Sequence, residues 1–377
     1  MRDLIIKPVI LQPSISFSKI SSTIMKFTDL SPQEVLDLGK PLHELEELVK
    51  GREHPQFDFS DASKTLALMR HMVSQEEQAD EVDPTITEIT INVESRDGVL
   101  LPLKTFRRAK GDQKTAAERS VSPLIVLYFP GGFIFGSPTL MAGLARLLVK
   151  KFNAVVVAPT YRLAPEHPFP TWYNDGWDVF QWIAQNASGS LRANPGKGFV
   201  VGGISSGANV ANVVAHLARD NSLHPSLTGV WLSCGGMRLA SQYTDRLPPK
   251  YRERYLSRTQ EECVNSGVSS EAMSRFVRRR CNEDPESVFF APLIWSSGPS
   301  YGHAGYPRTY FQVCGMDPPR DEALIFDDML KEAGVETRLD MYAGLPHVFW
   351  HSFKQLDQSK KWIQDTLDGF AWLLDGE

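Results

Sequence analysis

Gly203-Ile204-Ser205-Ser206-Gly207 sets one serine between two glycines in the pattern G-x-S-x-G. A serine hydroxyl attacks poorly until a base takes its proton, so the pattern matters only where the fold supplies that base. Alone the pentapeptide is weak, since ordinary glycine and serine frequencies produce it in roughly one chain in ten of this length. Its flanks add weight. Gly198-Phe199-Val200-Val201 reads as a short buried strand and Ala208 to Ala215 as a helix. A nucleophile on a sharp strand-to-helix turn needs small residues on both sides, which Gly203 and Gly207 provide. The turn would put Ser205 at a helix N-terminus, where backbone N–H groups and the dipole favour developing negative charge.

Among nine histidines, His347 is best placed to act as the base, in Ala343-Gly344-Leu345-Pro346-His347-Val348-Phe349. It follows the last predicted strand, Thr337–Tyr342, and loops at the carboxyl ends of parallel strands are where such sites assemble. His351 competes but falls toward the closing helix. The base in turn needs a carboxylate to fix its tautomer and steady the imidazolium. Gly315-Met316-Asp317-Pro318-Pro319-Arg320-Asp321 offers two. Pro318 keeps Asp317 out of helical geometry, whereas Asp321 falls in a first helical turn, where an acid is expected for dipole reasons alone. Asp317 is preferred. A third segment, Tyr128 to Ser137, carries Gly131-Gly132 after a strand; successive glycines let a backbone approach a ligand and aim N–H groups at an oxyanion, although a plain turn would use them equally well.

The elements that must position these residues alternate along the chain. Residues 1–85 read as a helical preface, with a capped start at Ser31-Pro32-Gln33-Glu34 and a second helix from about Ser60 to Ala79. Ile86–Val93 alternates as a half-buried strand and pairs, across an Arg96-Asp97-Gly98 turn, with Val99–Phe106. Pro123–Phe129 is apolar on both faces, as a central parallel strand requires. Strand–helix units then recur to the closing helix predicted over Phe353–Leu374, which implies a mostly parallel sheet with helices on both faces. Between about 235 and 300 the alternation stops, and that stretch reads as an insertion of the kind that becomes a lid.

Bulk properties narrow the rest. A net charge of −5 on 377 residues, with pI near 6.0, gathers neither nucleic acid nor an anionic membrane. Four cysteines without CxxC spacing suggest neither zinc nor a disulfide framework; Cys314 reads as buried filler, and Cys263 and Cys281 are a candidate pair. No run of 18 apolar residues spans a bilayer. The opening residues, broken by Lys7, Pro8 and Pro13, read as no secretory signal, which leaves the cytoplasm as the expected location.

Over residues 85–375 the sequence resembles the hormone-sensitive-lipase-like family of α/β-hydrolases. The resemblance rests on Pro130-Gly131-Gly132-Phe133 with Gly136-Ser137, Tyr161 to Pro170, Gly203 to Asn209, Asp317 to Glu322, and Gly344 to Phe349, in family order. It implies an α/β-hydrolase fold and a triad of Ser205, Asp317 and His347. It also implies oxyanion donors at the N–H groups of Gly131, Gly132 and Ser206, and a cap built from residues 1–85 and the insertion. No metal or cofactor is implied. Phe129 and Pro130 stand where the family has His-Gly, Ile204 replaces an acid, and Ala208 a glycine. Tyr161–Pro170 reads as a tight, proline-bounded structural turn in which Arg162 and Glu166 are able to pair.

Three functions remain in view. The first is carboxylic-ester hydrolysis, with Phe133, Phe135 and Trp231 suggesting an apolar acyl pocket. The second is acyl transfer or product release in a biosynthetic pathway, where ten Lys/Arg against five Asp/Glu over Gly236–Asn282 could dock an acidic carrier protein. The third is a non-catalytic receptor on the same fold. A homodimer is left open.

Overall fold

The structure is a computed structural model describing residues 26–50, 57–109, 122–239, 241–266, 270–295 and 302–375. The reading of Met1–Pro13 and most of the polar loop 109–120 lie outside these residues.

Among the described residues three α-helices precede the sheet: α1 (Pro32–Leu38), α2 (His43–Val49) and α3 (Ala62–Gln78). Ser31 caps α1 through the expected box: its side chain accepts the Glu34 N–H while the Glu34 carboxylate takes the Ser31 N–H. Eight strands follow in one sheet: β1 (Ile86–Glu94), β2 (Leu100–Arg108), β3 (Leu124–Tyr128), β4 (Val155–Pro159), β5 (Phe199–Ile204), β6 (Gly229–Ser233), β7 (Arg308–Cys314) and β8 (Thr337–Tyr342). Their spatial order is β1-β2-β4-β3-β5-β6-β7-β8. Only β1–β2 and β2–β4 pair antiparallel; β4 through β8 run parallel. The β1–β2 hairpin closes at Ser95–Val99, with Gly98 at φ 82°. Strands β3 to β6 are buried along their whole length, which is why they read as unbroken apolar runs.

Helices cover both faces. α4 (Ala142–Phe152) and the closing helix lie together on one side; α5 (Thr171–Asn186), α6 (Ser206–Asp220) and, after β7, the helix Arg320–Glu332 lie on the other. Between β6 and β7 come the short helices α7 (Pro249–Arg252), α8 (Glu261–Val264) and α9 (Glu271–Cys281). Arg320–Glu332 is therefore α10. The closing helix, expected from Phe353, begins later as α12 (Asp357–Leu374), and a separate turn of helix, α11 (Phe349–Ser352), precedes it. Leu356, buried and extended (ψ 138°), separates the two, and the Ser359 hydroxyl donates to the Phe353 carbonyl across the break. Among the described residues no helix is long and apolar enough to cross a membrane.

Two local expectations are corrected. Arg162 does not pair with Glu166: its guanidinium forks onto buried Asp175 of α5 (2.7 and 2.9 Å) and reaches Asp97, while Glu166 pairs with Arg70 of α3. Both partners are remote in sequence and become neighbours only on folding. Cys263 and Cys281 are free. Each thiol faces a different backbone carbonyl, Gly315 for the first and Gly132 for the second. The excess positive charge after β6 is largely neutralised within the chain: Arg238 pairs with Glu283, Arg246 with Glu286, Lys250 with Glu332, and Arg258 with fully buried Glu322.

Candidate active site

Parallel strands β3, β5, β6, β7 and β8 end on the same edge, and the loops leaving that edge carry the polar residues singled out above. Ser205 occupies the turn from β5 into α6 at φ 56°, ψ −120°. Its N–H donates to the Ser233 carbonyl at the end of β6 (2.9 Å). The flanking glycines are obligatory by contact: a Cβ on Gly203 would lie 2.4 Å from the Gly207 carbonyl carbon, and one on Gly207 2.2 Å from the Tyr128 carbonyl oxygen. No side chain fits where β3, β5 and α6 meet.

His347 lies on the loop after β8. Its Nε2 is 2.9 Å from Ser205 Oγ, and its Nδ1 is 2.6 Å from Asp317 Oδ2. Asp317 follows β7 and is 1% exposed; its second oxygen, Oδ1, has no hydrogen-bond partner. Burial opposes the charged form of His347, but the adjacent Asp317 carboxylate, with a smaller contribution from Cys234, outweighs this and lifts the imidazole well above its ordinary value. The geometry orders hydroxyl, imidazole and carboxylate in a row. Asp321 is elsewhere. It accepts the Leu256 and Ser257 N–H groups (2.6 Å each) and pairs with Arg320, anchoring the segment after β6. His351 sits on α11 with Nε2 2.9 Å from Glu76.

Gly131 and Gly132 follow β3 at φ 133° and 61°. The Gly131 carbonyl accepts the N–H groups of both Ile134 and Phe135 (3.1 Å each). Ser206, the first residue of α6, is buried beside Ser205. Phe129, in place of the family histidine, stacks on Tyr161 at 4.2 Å, and the Tyr161 hydroxyl donates to the Phe129 carbonyl (2.7 Å). An aromatic sandwich thus replaces a polar side chain. Phe133 stacks on Trp172 and, with Phe135, lines a cavity of about 1630 Å³ that also holds Ser205 and His347. Trp231 does not reach it: the ring is fully buried against Trp362 and Phe370, its N–H donating to Gln312.

The cavity's outer walls come from segments that sequence reasoning treated only collectively. Phe59, Met69 and Met72 enter from the N-terminal side, Met273 and Val277 from α9, and Trp350 from α11. The apolar spacing of Met69, Met72 and Val73 along α3 was the available signal. Cys234, just after β6, was overlooked. Its sulfur, an Asp317 oxygen and a His347 ring nitrogen lie within 4.8 Å of one another. Burial raises the thiol, but the Cys314 thiol and His347 pull it below its ordinary value. Both ring nitrogens of His347 already have partners, so a cation here would have to displace them.

The fold and this loop arrangement define an α/β-hydrolase. The alpha/beta hydrolase fold family matches residues 125–351. An AB hydrolase superfamily protein of Schizosaccharomyces pombe is 33% identical over 78% of this chain and 80% of its own length. The versiconal hemiacetal acetate esterase of Dothistroma septosporum is 30% identical over 69% of this chain and 76% of its own. Among solved structures, vibralactone cyclase superposes with TM-score 0.77 at 28% identity, covering 90% of this chain and 96% of that one. The chain belongs to the hormone-sensitive-lipase-like family of hydrolases.

Proposed function

We propose that the chain hydrolyses carboxylic esters through an acyl-enzyme on Ser205. The observation carrying this reading is the unbroken relay of 2.9 and 2.6 Å from Ser205 through His347 to Asp317. His347 Nε2 takes the hydroxyl proton as Oγ attacks the ester carbonyl, and Asp317 steadies the imidazolium. N–H groups of Gly131, Gly132 and Ser206 receive the oxyanion. The tetrahedral intermediate collapses, His347 protonates the departing alkoxide, and water repeats the sequence to release the acid. The N-terminal helices and the segment between β6 and β7 serve as the cap. At about 1630 Å³ the cavity exceeds the ~300–1,000 Å³ of ordinary ligand sites, and its aromatic and methionine lining suits a bulky apolar ester.

That volume also favours a second reading on the same residues: product-releasing hydrolysis or acyl transfer in secondary metabolism. The likeness to versiconal hemiacetal acetate esterase and vibralactone cyclase supports it.

The test is intact mass after a fluorophosphonate probe, with turnover of p-nitrophenyl esters of increasing chain length. A single adduct that maps to Ser205 and vanishes in Ser205→Ala, together with lost turnover, is expected. Undiminished hydrolysis by a folded Ser205→Ala protein would sink the reading.

A further inference from the structure

The loop after β3 must hold its N–H groups still, yet it lacks the polar side chain its family uses there. Its bracing comes partly from outside the hydrolase core. Arg70, in the middle of α3, donates from Nε to the Ile134 carbonyl (3.0 Å) and from Nη2 to the Ala164 carbonyl (3.0 Å). The same guanidinium grips Glu166 with both Nη atoms, at 2.7 and 2.8 Å. About two turns further along α3, Glu77 accepts the hydroxyl of Ser137, at the far end of the loop. Ala164 is itself tied to the loop, its N–H donating to the Phe133 carbonyl (2.9 Å).

These contacts lead back to the oxyanion donors through the peptide plane. Arg70 fixes the Ile134 carbonyl, and the Ile134 N–H fixes the Gly131 carbonyl. The Gly131–Gly132 peptide is planar and trans, so pinning its C=O on the turn side aims the Gly132 N–H the opposite way. Gly131 and Gly132 have no side chains with which to hold this orientation, and both sit at positive φ. A planar guanidinium reaching two carbonyls and a carboxylate from one rigid helix is suited to that task in a way an ammonium is not.

We propose that Arg70 is a positioning residue for the oxyanion hole, so that α3 sets turnover as well as walling the cavity. The inference rests on the reading of Ser205 as the nucleophile and of Gly132 as an oxyanion donor. Arg70 touches no reacting atom; it acts through Ile134 and Gly131. Losing a whole oxyanion donor costs about 10²–10³ in kcat, so misaiming one should cost about tenfold or more.

The experiment compares wild type, Arg70→Ala, Arg70→Lys and Glu166→Gln, using p-nitrophenyl ester kinetics, affinity for a trifluoromethyl ketone, and thermal melting. Wild type comes first: without Ser205-dependent turnover the functional reading itself fails, and the Arg70 variants are not needed to show it. With that turnover present, Arg70→Ala should lower kcat by about tenfold or more with KM within about twofold. The ketone, which borrows the oxyanion site, should weaken in parallel with kcat/KM, and added ethylguanidine should restore part of the rate. Glu166→Gln leaves the Ile134 bond in place and should lose less. If Arg70→Ala does not fold, Arg70→Lys decides, because lysine keeps the charge beside Glu166 but cannot span both carbonyls. A folded variant with kcat within twofold of wild type, or with unchanged ketone affinity, overturns the proposal.

Discussion

Replacing Asp317 by asparagine isolates what the carboxylate does for His347. The side chain keeps its shape, so the 1% exposed site should neither collapse nor flood. What changes is the partner at 2.6 Å from Nδ1. Asp317 Oδ1 has no other hydrogen bond to orient it, so the amide is free to turn its NH₂ toward the ring. Nδ1 then becomes an acceptor, the ring proton moves to Nε2, and Nε2 can no longer receive the Ser205 proton. Loss of the correct tautomer in a Ser-His-Asp relay lowers kcat about 10⁴-fold, or about 5.5 kcal/mol. The pH dependence should shift as well. Asp317 lifts His347 above its ordinary value, so protonated, inactive imidazole persists to higher pH in the wild type. Without the carboxylate charge the acidic limb of kcat/KM should move to lower pH while the plateau falls. Stopped-flow hydrolysis from pH 5 to 9, with a melting curve to show the variant folded, measures both. A folded Asp317→Asn enzyme within tenfold of wild type at every pH would refute the reasoning.

Two further perturbations separate geometry from chemistry. A Cβ on Gly131 would sit 2.0 Å from the Phe135 carbonyl oxygen at φ 133°, whereas one on Gly132 meets only a Val277 methyl at 3.2 Å and a φ of 61°. Gly131→Ala should therefore cost about 10²-fold or more in kcat. Gly132→Ala should cost about 1–2 kcal/mol of stability and less than tenfold in rate, with Val277→Ala relieving part of it; equal damage from the two would show that the loop is not packed as described. Ser205→Gly and Ser205→Ala should both be inactive, but the glycine variant should be about 1 kcal/mol more stable in urea, because φ 56° with ψ −120° strains alanine and not glycine; an alanine variant of equal or greater stability would contradict the strained turn.

Much of the frame was legible because it depends on local pattern. The unbroken apolar run of β3, the alternation of β1, and the glycines around Ser205 each state a packing requirement in the sequence itself. Pro318 separated Asp317 from Asp321, and the structure puts the second against Leu256 and Ser257, away from the imidazole. What was illegible depends on partners remote in sequence. Arg162 had a plausible partner four residues away but takes Asp175 and Asp97, which approach only when α5 and the β1–β2 hairpin dock. The basic stretch after β6 reads as unbalanced in charge because Glu322, Glu332 and Glu286, which pair with it, lie outside it in sequence. The break before α12 hinges on Leu356, whose burial leaves no mark in helical periodicity. Arg70 takes partners 64 to 96 residues away, and nothing in its local sequence marks them.

Backbone strain marks the same place that the hydrogen bonds do. Among the described residues eight other than glycine have positive φ. Two are asparagines ending α4 and α9, where that residue type tolerates the conformation. Phe133, Ser205, Cys234 and Val348 are different: all four line the cavity, and a β-branched or aromatic residue rarely adopts such angles. Three of them are tethered to neighbouring segments by backbone hydrogen bonds. Ser205 N–H is fixed to Ser233, Cys234 N–H to Gln312, and the Phe133 carbonyl to Ala164. At about 1–2 kcal/mol each, these conformations persist only because buried strands and stacked rings impose them. Strain held in the ground state need not be generated during reaction, which is what electrostatic preorganisation requires. Phe133 lies beyond the end of β3, and there the restraint passes through Ala164 and Ile134 to the guanidinium of Arg70.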